Sequence, residues 1–262
     1  MAATKLIEKK KSVGNLTSPC HSHKFARMPP TSRQVSPPIF RGHRRWGWHG
    51  AAACLLALLL QSASASTNSI HAMKPIAFAA SKNLQSLVDA AVRNALDQLT
   101  TNKLTADQFA MTLVDLNVSP PAGAGYRSHE KIYPASVIKL FYLAATHRWL
   151  ENGQLKDTAE LRRALRDMIV DSCNEATGLV VDSLTDTTSG PEMSPEDLNR
   201  WHEKRNAVNR YFISAGYPDI NANRKPWNDG PYGRERQSVL AHKSDDRNLL
   251  TTDATARLMT VA

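Results

Sequence analysis

"YPASVIKLFYLAATHRWL" fills residues 133–150, and the reading of this stretch decides the rest. After Ser136 the apolar residues Val137, Ile138, Leu140, Phe141, Leu143, Ala144 and Ala145 run on without Gly or Pro. The run stops at Asn152-Gly153, a good helix terminator, so the pattern predicts a helix central to the core. Ser136 and Lys139 stand three residues apart and share one face of that helix. A Ser in the first helical turn offers its hydroxyl and its own backbone N–H to the same space. That N–H is one of the unsatisfied donors at a helix start, suited to a developing oxyanion. Serine is a weak nucleophile until a base takes its proton, and a Lys becomes that base when burial lowers its pKa. Lys139 lies between Ile138 and Leu140, consistent with partial burial. The same S-x-x-K spacing recurs at Ser128–Lys131 in polar, turn-like sequence with no apolar helix behind it, so the spacing alone does not decide.

A second element lies downstream. Residues 158–172 and 174–185 read as amphipathic helices, and "DSCN" (171–174) joins them. A short loop there brings the Ser172 hydroxyl and the Asn174 amide against the first pair. The hydroxyl is placed to relay a proton to a leaving nitrogen, and the amide to hold Lys139 and a substrate carbonyl. A simpler reading makes Ser172 and Asn174 caps of the following helix, and the two readings are compatible. Upstream, 81–102 carries a helical stripe through Leu84, Leu87, Val88, Ala91 and Val92, and 109–118 reads as a strand. Residues 119–135 have turn chemistry at Pro120, Pro121, Gly123 and Gly125, with a short strand returning near Tyr126. A loop at 187–195, a helix over 196–216 and a long irregular stretch over 217–248 follow; long irregular segments in compact domains are often functional. The last segment, "TTDATARLMTVA" (251–262), begins a helix capped by Thr252 or Asp253.

The net charge of +9 suggests a nucleic-acid partner until its distribution is examined. Residues 1–50 hold ten Lys and Arg against one acid, Glu8, leaving 23 bases and 23 acids for the remainder. The folded part is charge-balanced, and the total no longer argues for nucleic acid. The basic stretch, the apolar run "AAACLLALLL" (51–60) and the small residues Ala63 and Ala65 form the layout of a secretory signal peptide. The run is short for a membrane span, so no stable membrane insertion is expected after cleavage. The expected organisation is a leader over 1–65, a polar linker over 66–80 and a folded domain over 81–262. Of the three cysteines, cleavage leaves Cys173 alone, which predicts no intramolecular disulfide.

Ser136-x-x-Lys139 on an apolar helix, followed by Ser172-x-Asn174 at a helix junction, resembles the serine β-lactamase and penicillin-binding protein superfamily, with class A-like serine hydrolases the nearest branch. The order of elements fits, and "TTDATARLM" is similar to the Thr-rich helix start that follows the long loop in class A enzymes. The resemblance covers roughly residues 81–262. It implies an α+β, β-lactamase/transpeptidase-like fold: an antiparallel sheet flanked by helices, plus an all-helical subdomain. It implies Ser136 as the acylated nucleophile, Lys139 as its base, Ser172 as proton shuttle and Asn174 as a substrate-binding residue. The substrate would be a β-lactam or a peptidoglycan peptide, met after export to a periplasmic or extracellular space, and no cofactor is needed.

The departures are specific. The family's Lys-Thr/Ser-Gly strand motif is missing, since Lys243-Ser244-Asp245 lacks the Gly and Thr188-Ser189-Gly190 lacks the Lys. In the family it follows the Thr-rich helix in which this chain stops, so the chain reads as C-terminally incomplete, with the final strands missing. The loop Glu that drives deacylation in class A enzymes has no counterpart in a Glu-x-x-x-Asn pattern. Glu235 is the one carboxylate of useful length nearby and is the candidate for that role, with Asp229 shorter. Cys173 stands where class A enzymes carry Asp. An acyl-enzyme without a deacylating Glu would persist, which favours a penicillin-binding D,D-peptidase-like activity over efficient β-lactam hydrolysis; a catalytically inactive binding homologue is the other alternative. His147, His202 and His242 form no metal-ligand spacing with Cys173 or one another, and no metal is expected.

Overall fold

The computed structural model describes residues 76–99, 105–243 and 247–261; the basic leader, the apolar run 51–60 and the cleavage site lie outside them. In chain order the elements are β1 (Ala79–Ala80), α1 (Lys82–Leu99), β2 (Met111–Asp115), β3 (Ala122–Tyr126), α2 (Ile138–Glu151), α3 (Ala159–Val170) and α4 (Asn174–Thr185). Then come α5 (Pro195–Arg205), α6 (Ala207–Ser214), α7 (Gly233–His242) and α8 (Thr252–Val261). The class is α+β. From α2 to α7 the chain is helices and loops, while α1 and α8 pack against the strands. The last residues of the expected linker, Ala79 and Ala80, already form β1.

The sheet has the order β1-β3-β2, with β2 and β3 antiparallel and β1 parallel to β3. An all-antiparallel sheet was expected; the parallel strand arises because β1 precedes the α1 crossover and pairs with β3 rather than β2. Gly123 and Gly125, read from sequence as turn residues, lie inside β3. Their use is close approach: a Cβ at Gly123 would stand 2.8 Å from Cβ of Phe78, and one at Gly125 2.6 Å from the Ser128 side chain. On α1, Val88 and Val92 are buried as the stripe predicts, but Leu87 is 59% exposed.

The core forms around α2. Ile138, Phe141, Tyr142 and Ala145 are fully buried and meet Met168 of α3, Val180 and Val181 of α4, and Val208 and Phe212 of α6. Phe141 and Phe212 sit edge-to-face at 5.0 Å, and both meet the Tyr217 ring at near right angles, a favoured geometry for aromatic clusters. The helices begin where short polar side chains cap them. Thr158 Oγ1 accepts from Leu161 N–H at 3.1 Å for α3, and Ser194 Oγ from Asp197 N–H at 3.2 Å for α5. For α8 the cap is Thr251, whose Oγ1 accepts from Ala254 N–H at 3.0 Å, one residue before the expected position.

Two expectations about helices give way. The single helix over 196–216 breaks at Asn206, whose side chain donates to His202 O at 2.9 Å and accepts from Asn209 and Asn223. Local polar bonding of this kind competes with helix continuation. The irregular stretch 217–248 contains α7, whose first residue Gly233 has φ +52° and lies where a Cβ would stand 2.0 Å from Gly190 O. Only Gly enters that contact in that conformation.

The long loop closes on itself at a polar neck. Asn221 and Leu249 exchange backbone hydrogen bonds of 2.9 and 2.7 Å. Buried Asn248 accepts from the N–H groups of Asn223 and Arg224 and donates to Arg224 O at 2.7 Å. Tyr142, on the buried face of α2, donates to Arg224 O at 2.8 Å and also bonds Asn248 Oδ1. The loop is thereby fastened to the helix that carries Lys139.

Candidate functional site

Ser136 sits in a 3-10 turn, Ala135–Val137, at the head of α2. Two features aim it. Ile132 and Leu250 exchange backbone hydrogen bonds of 2.9 Å, pinning the incoming strand-like segment. Ala135 then turns the chain in the left-handed region, at φ +45°, a conformation that costs a non-Gly residue on the order of 1–3 kcal/mol and is held only when its surroundings demand it. Ser136 emerges exposed, while Lys139, one turn on, is buried to 2% exposure.

Ser172 and Asn174 arrive from the α3–α4 junction. The Cap of α4 is neither of them: Cys173 is the N-cap, its Sγ accepting from Ala176 N–H at 3.5 Å. With the middle residue turned into the helix end, its neighbours face away from the capping position. Ser172 adopts φ +51°, a second left-handed non-Gly residue at this site. The cysteines that the pairing expectation for Cys173 turns on, Cys20 and Cys54, lie outside the described residues.

The four expected residues converge. Lys139 Nζ lies 3.2 Å from Ser136 Oγ, 3.0 Å from Ser172 Oγ, 2.6 Å from Ser172 O and 3.0 Å from Asn174 Oδ1. Ser172 Oγ also lies 3.0 Å from Ser136 Oγ. An ammonium has three N–H groups for these four oxygens. A neutral amine donates to Ser172 O and Asn174 Oδ1 and turns its lone pair to the Ser136 hydroxyl, the longest of the four contacts. Among the described residues no carboxylate comes within ion-pair distance of Lys139 Nζ. Burial lowers the Lys139 pKa from its ordinary value, opposed by the Glu175 carboxylate. A lysine so placed is suited to accept a proton from a neighbouring hydroxyl.

The site has an outer wall that the sequence reading missed. Asn174 Nδ2 donates to Asn228 Oδ1 at 2.7 Å, and Asn228 Nδ2 donates to Glu175 Oε1 at 2.6 Å. Glu175 adjoins Asn174 and was visible as part of "SCNE", but Asn228 lies in the long loop within "PWNDG", which looks like turn chemistry alone. Beyond Asn174 opens a cleft of about 650 Å³, lined by Glu175, Lys225, Trp227, Asn228 and Tyr232. On the other side Tyr133, Pro134 and Val137 form part of an apolar hollow of about 400 Å³ with α8.

Glu235 is not brought to Ser136. It is buried, 2.7 Å from Arg205 Nη2, 3.3 Å from Lys225 Nζ and 3.0 Å from Ser189 Oγ. Asp182 completes this group, 2.6 Å from Lys225 Nζ and 3.2 Å from Arg205; burial raises the Asp182 pKa against the opposing pull of Lys225 and Arg205. The bonded oxygen of Glu235, Oε1, faces the cations and the hydroxyl of this cluster. Asp229 lies exposed on the cleft wall. The second S-x-x-K pair is structural: Ser128 packs under Gly125, and Ser128 O accepts from Asp253 N–H at 3.0 Å. Among the described residues no three His, Cys, Asp or Glu side chains gather to hold a metal, and no helix is long and apolar enough to cross a membrane.

Comparison with family models, curated proteins and solved structures returned no match to this chain.

Proposed function

We propose that the protein is an exported serine hydrolase of the β-lactamase/penicillin-binding type, acylated at Ser136 by a β-lactam or a peptidoglycan peptide. The observation that carries the reading is the convergence of Ser136, Ser172 and Asn174, from two separate segments, on Lys139 Nζ, each with a side-chain oxygen within 3.2 Å of it. Neutral Lys139 takes the Ser136 proton as Oγ attacks the carbonyl carbon. The tetrahedral oxyanion is met by the Ser136 N–H at the helix head. The C–N bond then breaks as a proton passes from Lys139 through Ser172 Oγ to the leaving nitrogen, and an ester on Ser136 remains. Asn174 holds Lys139 on one side and faces the cleft on the other, which suits it to a substrate amide. Export follows from the basic, apolar, small-residue order of the leader, and the fold proposed for the domain is β-lactamase/transpeptidase-like.

The engagement of Glu235 by Arg205 and Lys225 favours a second reading of the outcome. With that carboxylate occupied, the ester is long-lived, as in a penicillin-binding D,D-peptidase-like enzyme. Both readings are tested by incubating the full chain with a fluorescent penicillin. Covalent label on Ser136, absent from Ser136→Ala, supports the acyl-transfer reading, and its persistence over hours supports the second. Steady hydrolysis of a chromogenic cephalosporin selects β-lactamase activity instead. No label and no turnover leave a binding homologue and sink both.

A further inference from the structure

The hydrogen bonds on the outer wall have a direction. Glu175 is a carboxylate and only accepts, so the Asn228 side chain must present its NH2 to it. Asn228 Oδ1 then points the other way, where it accepts from Asn174 Nδ2 at 2.7 Å. That leaves Asn174 Oδ1 toward Lys139 Nζ, at 3.0 Å. The far end is equally one-sided, since the lysine N–H groups donate. Each amide alone is free to flip by half a turn; between an obligate acceptor and a donor, the pair has one arrangement.

We propose that Glu175 and Asn228 are positioning residues: the Glu175 carboxylate sets two amides in series, so that Asn174 turns its carbonyl oxygen, not its NH2, to Lys139. The reversed series would put the Asn174 NH2 against the lysine N–H groups and remove one of the acceptors that orient Nζ toward Ser136. Asn228 comes from a loop whose neck is bonded to Tyr142 of α2, so the relay joins two parts of one rigid support. Glu175 and Asn228 need not touch the reacting atoms for this role. The inference rests on the acyl-transfer reading of the same site.

The test moves the negative charge one residue along the series. Asn228→Ala removes the acceptor for Asn174 Nδ2 and slows labelling of Ser136 by fluorescent penicillin about tenfold, the scale of one lost orienting hydrogen bond. Asn228→Asp alone is at least as slow, because its carboxylate faces Glu175 across a 2.6 Å contact. Adding Glu175→Gln to Asn228→Asp restores the rate to within about threefold of wild type, because the carboxylate at 228 accepts from both Asn174 and the new amide at 175. Thermal midpoints recorded for all variants separate a positioning effect from loss of fold. Wild-type rates in Asn228→Ala, or a double variant no faster than Asn228→Asp, overturn the relay while the acyl-transfer reading stands. An unlabelled wild-type protein overturns the acyl-transfer reading, and the relay with it.

Discussion

Among the described residues two lysines are buried, and they are treated differently. Lys225, 6% exposed, lies 2.6 Å from Asp182 and 3.3 Å from Glu235, beside the fully buried Arg205. Lys139, 2% exposed, has hydroxyl, amide and carbonyl oxygens around it and no carboxylate within ion-pair reach among the described residues. A buried cation set against carboxylates ties elements together; here the cluster joins α4, α5, α7 and the loop that carries Lys225. A buried cation set among neutral acceptors is costly in its charged form and ready to exchange its proton. Burial is similar in the two places, and the neighbours differ: carboxylates make Lys225 a fastener, while the neutral oxygens around Lys139 suit it to the base role proposed above.

The sharpest way to break that contrast is to remove each charge in turn. Lys139→Met is expected to slow labelling of Ser136 by about 10²–10⁴-fold, the range of a general base, while the thermal midpoint stays near that of wild type. A loss of less than about tenfold would mean that another group takes the Ser136 proton. Glu235→Gln is expected to do the reverse. It leaves Arg205, 0% exposed, without its closest carboxylate, at a cost of about 3 kcal/mol read from chemical denaturation. Labelling of the folded fraction stays within about twofold of wild type. A large fall in turnover with unchanged stability would instead return Glu235 to the chemistry.

Smaller effects sharpen the comparison. Ser172→Ala is expected to slow acylation about tenfold, since it removes the hydroxyl between Lys139 and Ser136, without affecting unfolding. Labelling rate should rise with pH through the Lys139 titration, because only the neutral amine accepts the proton. Burial places that limb below the 10.5 of a free lysine. The Glu175 carboxylate opposes the shift, so Glu175→Gln moves the limb to still lower pH. A limb that stays in place would show that Glu175 is electrostatically silent at Nζ.

Much of this was legible in the residues. The apolar run after Ser136 forms one helix that ends at Glu151, just before Asn152-Gly153, and within such a helix periodicity is strongest; α3 and α4 announce themselves in the same way. Ser136, Lys139, Ser172 and Asn174 were found because both motifs are short and each sits at a helix end. What was missed depends on distant partners. Gly123 and Gly125 look like turn residues until Phe78 and Ser128 are set against them. Asn206 breaks a periodic pattern for the sake of Asn209 and Asn223. Asn228 gives no local signal, because its meaning comes from Asn174 and Glu175, more than fifty positions earlier. Glu235 was chosen for the length of its side chain, and the fold turned that carboxylate to Arg205.

The neck formed by Asn248 has a kinetic consequence. The Arg224 amide donates to a side chain that is 5% exposed, and that side chain is bonded in turn to Tyr142 in the aromatic core. Its exchange with deuterated solvent therefore requires the core around α2 to open. The amides at the exposed loop crest near Asn228 and Asp229 exchange through local fluctuation alone. A loop that would ordinarily be among the first parts to unravel is thus rooted in the last, and the polar wall of the cleft keeps its place for as long as the domain stays folded.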